Sequence, residues 1–142
     1  MTASTPDPSG LHALFCPRSI AVVGVSQRHS GIGRRVLNRL HESGFPGWLF
    51  PITRTGEKVD GYPSWTSVRL VPGPVDLAVI AVNRDAVAGV IDDCIAASVR
   101  AVVIITAGFA EADAKGQALQ AALLAKVREA GMRLSFSSRA DK

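Results

Sequence analysis

Gly24, Ser26, Gly31 and Gly33 are the residues of this chain whose types and spacing best suit chemistry. Glycines let a backbone approach a ligand closely, and Ser26 adds a hydroxyl. A helical pattern begins at Ile32, which puts Gly31 and Gly33 at a helix N-terminus. The first N–H groups of a helix have no intrahelical partner, and its dipole adds roughly half a positive charge there. The chemistry implied is the binding of a phosphate group on a nucleotide-like cofactor. His29 lies in the same loop, but a general base needs a partner and a substrate within reach, and the sequence shows neither. It reads as a surface histidine, with His12 in a tail and His41 on a helix. Ser26 and His29 are too local for a triad, and no G-x-S-x-G elbow occurs. Glu111 and Asp113 read as favourable charges at a helix start, not as a carboxylate pair. The expectation is a binding domain without catalytic residues of its own.

The elements that must position these residues alternate along the chain. Residues 1–14, rich in Pro, Ser and Thr, read as a loose tail. An apolar strand spans about 19–25, and a helix about 32–43, with Ile32, Val36, Leu37 and Leu40 on one face. Gly44 supplies a left-handed stop, with Phe45 packing back. A second strand, 48–52, is expected to be shortened by Pro51. Residues 53–74 read as loop, with a brief edge strand at 62–65. Strands follow at 75–82 and 100–106. Their near-continuous apolar character points to burial on both faces, as in a parallel sheet. Between them a helix capped by Asn83 or Asp85 turns Val87, Val90, Ile91, Cys94 and Ile95 inward. A last helix, about 113–130, carries Leu119, Leu123 and Val127 inward, and Met132 to Phe136 can form a final strand. This alternation predicts a doubly wound α/β fold, a mostly parallel sheet with helices on both faces. Ligands in such sheets sit beyond the C-terminal strand ends. Segments 24–33, 52–58, 81–84 and 106–109 therefore converge on one crevice.

Length and composition fit one globular domain: 142 residues, 47% apolar and 20% charged. The formal charge of +4 suits a polyphosphate ligand. A nucleic-acid binder shows a denser basic stripe interleaved with aromatics, so no nucleic acid is expected. Cys16 and Cys94 lie in no CxxC motif, which argues against zinc and against a disulfide framework. They read as buried or half-buried free thiols in a reducing compartment. The first residues lack the features of a signal peptide, and no apolar run approaches the ~20 residues of a membrane span. A cytoplasmic location is the expectation.

The cofactor is narrowed at the end of the second strand. The glycine spacing does not fit G-x-G-x-x-G. An NAD site also places an acidic residue at that strand end, and Pro51-Ile-Thr-Arg-Thr55 contains none. Thr53 and Arg54 stand there instead. A guanidinium suits a ribose phosphate, which NADP and coenzyme A both carry, whereas a solvated loop arginine is the alternative.

Pro17-Arg-Ser-Ile-Ala-Val-Val-Gly-Val-Ser26 resembles the P-R-S-I-A-V-V-G-A-S opening of the coenzyme A-binding domain of ADP-forming acyl-CoA synthetases, the group that includes the succinyl-CoA synthetase α subunit. Gly44-Phe-Pro-Gly47, Pro72-Gly-Pro-Val-Asp-Leu-Ala-Val-Ile-Ala-Val82, Ile104-Ile-Thr-Ala-Gly-Phe-Ala-Glu111 and Gly131-Met-Arg-Leu134 extend the resemblance in one register over about residues 15–134. It implies a Rossmann-like domain that binds coenzyme A or an acyl-CoA. By position, Ser26, Gly31 and Gly33 would meet the pyrophosphate. Ile105, Thr106 and Ala107 would line the pantetheine path, and Ala81, Val82 and Asn83 would form another wall. The sequence departs from the family's P-V-N-P at Pro51-Ile-Thr-Arg54, from A-V-P-A at Ala81-Val-Asn-Arg84, and from G-P-N-C-x-G beyond residue 134, so residues 135–142 read as a divergent tail. The family's phosphorylated histidine and ATP-binding module lie in further domains. Separately encoded synthetase domains, or a second copy of this chain, are the partners implied. The alternatives are an NADP-binding oxidoreductase fragment and a CoA- or nucleotide-sensing regulatory module.

Overall fold

Apolar runs without polar alternation become strands buried on both faces. In a computed structural model, which describes residues 9–27, 31–105 and 113–136, such runs form β1 (Ser19–Val23) and β3 (Leu77–Ile80), with every residue buried. β2 (Trp48–Ile52), β4 (Ala101–Ile104) and β5 (Arg133–Phe136) complete a five-stranded sheet in the order β2-β1-β3-β4-β5, parallel throughout. Ile20 pairs with Leu77, Leu77 with Ala101, and Ala101 with Arg133. The chain moves outward from β1 to β2, then returns to β3 on the other side of β1. The topological switch point therefore lies between β1 and β3.

The hydrogen-bonded ladders are shorter than the apolar runs. The backbone N–H groups of Gly24 and Val25 both donate to the Ile52 carbonyl, so the chain turns after Val23, although Val25 remains buried. Pro51 does not shorten β2. At a sheet edge the missing N–H is tolerated, and the Pro51 carbonyl still accepts from Trp65 N–H at 3.1 Å. The brief strand expected at 62–65 reduces to single bridges, Ile52 with Trp65 and Val59 with Tyr62.

Helices cover both faces. α3 (Arg84–Ala96) and α4 (Ala114–Glu129) place Val87, Ile91, Cys94, Leu123 and Val127 against Ala21, Phe50, Ala78, Ile80, Val102 and Ile104. Each fully buried Val or Ile contributes roughly 1.5–3 kcal/mol of apolar burial. On the other face α2 (Ile32–Glu42) buries Leu37 against Ile20, Val22, Leu77 and Val79. Its inward face also carries Gly33 and Arg34, while Ile32, expected inside, is 47% exposed. Gly44, at φ +77°, ends this helix as expected, and Phe45 N–H returns to the Leu40 carbonyl.

The N-terminal segment departs from expectation. Ser9–Phe15 form a further helix, α1, which lies against β4 and β5 and buries Ala13 beside Ile20, Leu77 and Ala101. It covers sheet surface on the α2 side that α2 does not reach, with Ala13 turned to the core and Phe15 left exposed. The thiols also divide: Cys94 is buried and Cys16 is exposed.

Candidate functional site

β1, β3 and β4 end at the same level, and the turns after β1 and β3 meet there. Gly24 has φ +101°, a conformation that disfavours any side chain. A Cβ at Gly24 would collide with the Ala81 carbonyl, and one at Gly33 would lie 2.5 Å from the Gly24 oxygen. The two glycines let the first turn of α2 press directly on the end of β1. Ala81 N–H donates to Val23, and Ile105 N–H to Ile80, which fixes both residues beside the turn. The structure thus brings Gly24, Gly31, Gly33, Ala81, Val82, Asn83 and Ile105 to one end of the sheet. Thr106 and Ala107 lie outside the described residues, as do His29 and Glu111.

Two helix N-termini at this end carry no side-chain cap among the described residues. Gly31 is the N-cap residue of α2 and has no side chain to offer. Asn83 occupies the N-cap position of α3 but makes no capping bond, contrary to the expectation for it. The first N–H groups of a helix lack intrahelical partners, so both helix starts present the positive end of the dipole to this end of the sheet. α4 differs: Asp113 accepts from Gly116 N–H at 2.7 Å. That hydrogen bond, helped by the Arg84 charge 3.3 Å away, holds the Asp113 carboxyl below its ordinary value. Arg84 thus links the starts of α3 and α4 across the rim.

At the end of β2 the expected pair divides. Thr53 is buried, and its hydroxyl accepts from Gly56 N–H and shares a hydrogen bond with Ser64. The hydroxyl therefore shapes its own loop. Arg54 is exposed and has no hydrogen bond or ion pair among the described residues, so its guanidinium is available at the rim.

Sequence reasoning missed Arg34. It is only 2% exposed and lies beneath the loop that carries Ser26. One terminal nitrogen donates to the Ser26 and Gln27 carbonyls, at 3.1 and 3.0 Å, and the other to Asp60 at 2.7 Å. Asp60 sits at φ +49° in a tight Asp-Gly turn closed by two hydrogen bonds between Val59 and Tyr62. A basic residue in the first turn opposes the helix dipole. That local conflict was the available signal.

An open cavity of about 450 Å³ lies at the opposite end of the sheet, lined by Arg18, Trp48, Pro72, Asp76 and Arg100 among others. It faces away from the uncapped helices.

Residues 18–136 match the family described as the CoA binding domain. The chain belongs to that family. It is 34% identical over 128 residues to the α subunit of acetate–CoA ligase (ADP-forming) I from Pyrococcus furiosus, covering 87% of this chain and 28% of that one. It is 36% identical over 103 residues to 4-hydroxybutyrate–CoA ligase (ADP-forming) from Nitrosopumilus maritimus, covering 72% and 15%. Among solved structures, dinucleotide-forming acetyl-coenzyme A synthetase 1 from Ca. Korarchaeum cryptofilum superposes with a TM-score of 0.84 at 41% identity, over 89% of this chain and 27% of that one. The chain thus spans 15–28% of the length of these relatives. The Rossmann-like fold expected from the sequence is the fold found. No helix among the described residues is long and apolar enough to cross a membrane.

Proposed function

We propose that this domain binds coenzyme A or an acyl-CoA in the crevice beyond β1, β3 and β4, as the nucleotide-binding portion of an ADP-forming acyl-CoA synthetase-like system. The family match over residues 18–136 carries this reading. The site supports it: a close-packed glycine turn and two uncapped helix N-termini suit a pyrophosphate. Arg54, unpaired among the described residues, suits the ribose 3′-phosphate. We assign the ligation chemistry to other domains of such a system.

Calorimetric titration with CoA, dephospho-CoA, NADP and NAD tests the proposal. CoA is expected to bind with a Kd of roughly micromolar order, about −8 kcal/mol. Dephospho-CoA is expected to bind more weakly. NADP binding without CoA binding contradicts the proposal and favours an oxidoreductase fragment.

A further inference from the structure

We infer that Arg34 is a positioning residue, which orients the Ser26–Gln27 peptide so that its N–H becomes a pyrophosphate donor. The inference rests on the proposed function and extends it to a residue no side chain of which need touch the ligand. A trans peptide points its carbonyl and its N–H in opposite directions. The Ser26 carbonyl is drawn down onto Arg34, so the Gln27 N–H faces the open side of the loop. That N–H has no acceptor among the described residues. Arg34 also draws down the Gln27 carbonyl, so both ends of the Gln27 residue are fixed from below.

The cost of holding a guanidinium here is visible. Arg34 is almost fully buried, and its Nε has no hydrogen-bond partner among the described residues. A helix start is also an unfavourable place for a cation. Both of its terminal nitrogens are nonetheless hydrogen-bonded. Asp60 anchors one of them, and the Gln27 side chain adds a second tie to the same loop through the Lys58 carbonyl at 3.0 Å. The 57–62 segment and the glycine loop are thus held as one unit. The buried charge lies directly beneath the place where a pyrophosphate would sit, so it reinforces the field of the α2 N-terminus without being reached by water.

Lysine keeps the charge but cannot hold two carbonyls and a carboxylate in the planar geometry of a guanidinium. Arg34→Lys and Asp60→Asn, each checked for a dispersed native NMR spectrum, are therefore titrated with CoA beside the unaltered domain. The Gln27 amide is followed in 15N–1H spectra during titration with inorganic pyrophosphate. Arg34→Lys is expected to weaken CoA at least about tenfold and to abolish the pyrophosphate shift of the Gln27 amide. Asp60→Asn, a half-exposed change that carries the test if Arg34→Lys does not fold, is expected to give a smaller loss in the same direction. If the unaltered domain binds CoA and Arg34→Lys binds it within about twofold, charge alone suffices and the positioning role is overturned. A Gln27 amide that pyrophosphate leaves unmoved in a CoA-binding domain overturns it equally. If the unaltered domain binds no CoA, the proposed function fails first and takes this inference with it.

Discussion

A single methyl group at Gly33 would stand 2.5 Å from the Gly24 carbonyl oxygen, so backbone must move to admit it. Gly33→Ala is therefore expected to lower the unfolding free energy by about 2 kcal/mol, as overpacking does, measured as a fall in the urea midpoint. Gly89 is the contrast. It lies in α3, and nothing stands within 4 Å of its absent Cβ. Gly89→Ala is expected to raise stability by roughly 0.5–1 kcal/mol, because alanine is the better helix former. The two thiols give a further residue-scale test. Burial pushes the Cys94 thiol up to about 12, with the neighbouring Asp93 charge adding to the effect, whereas Cys16 is exposed. A thiol reagent at neutral pH should add to the native domain once, at Cys16, and a second time only in denaturant; native labelling of Cys94 contradicts the burial. At this scale the sequence was legible where local spacing carried the information, as in Gly24, Gly31 and Gly33. It was not legible at Arg34. Its partner Asp60 is 26 positions away, on a turn that no periodic pattern marks.

Among the elements, α1 and α4 make the strongest demands. Ala13, 2% exposed, joins α1 to the sheet. Ala13→Arg, which buries a charge without a partner, is expected to cost about 3 kcal/mol or more in urea unfolding. If α1 were a loose tail, the change would be neutral. The N-terminus of α4 predicts a pH dependence. The Asp113 carboxyl is held below its ordinary 3.8, chiefly by the Gly116 N–H. A depressed folded pKa contributes stability that is complete above the unfolded value and lost as pH falls through the folded one. Between about pH 5 and pH 2 the unaltered domain should therefore lose more stability than Asp113→Asn, measured as the difference in urea midpoints. The order of strands and helices was readable because β1, β3 and β4 are buried on both faces, which writes them as uninterrupted apolar runs. α1 was not, because seven residues carry too few turns for a period and follow a Pro- and Ser-rich stretch. Strand ends were misplaced because burial continues past the ladder, as at Val25 and Val75.

For the molecule as a whole, strand order alone is the basis for proposing the ligand crevice at the C-terminal strand ends. All five strands run parallel, and α2, α3 and α4 each follow a strand, so their N-termini gather at one end. The rim chemistry did not follow from fold logic. Arg54 and Arg84 both mark departures from the family's pattern, yet the structure leaves Arg54 available and ties Arg84 to Asp113. Their roles depend on what stands opposite, which only the tertiary arrangement supplies. The molecule also offers a rival location for any ligand, the cavity at the N-terminal strand ends beside Trp48 and Arg100. Binding at the C-terminal strand ends is tested most directly by chemical-shift mapping of the 15N-labelled domain during titration with CoA. The largest shifts are expected on Gly24, Gly31, Gly33, Arg54 and residues 81–84 if CoA binds there, with Trp48 and Arg100 unmoved. Shifts centred on Arg18, Trp48 and Arg100, with the glycine turn silent, would contradict it.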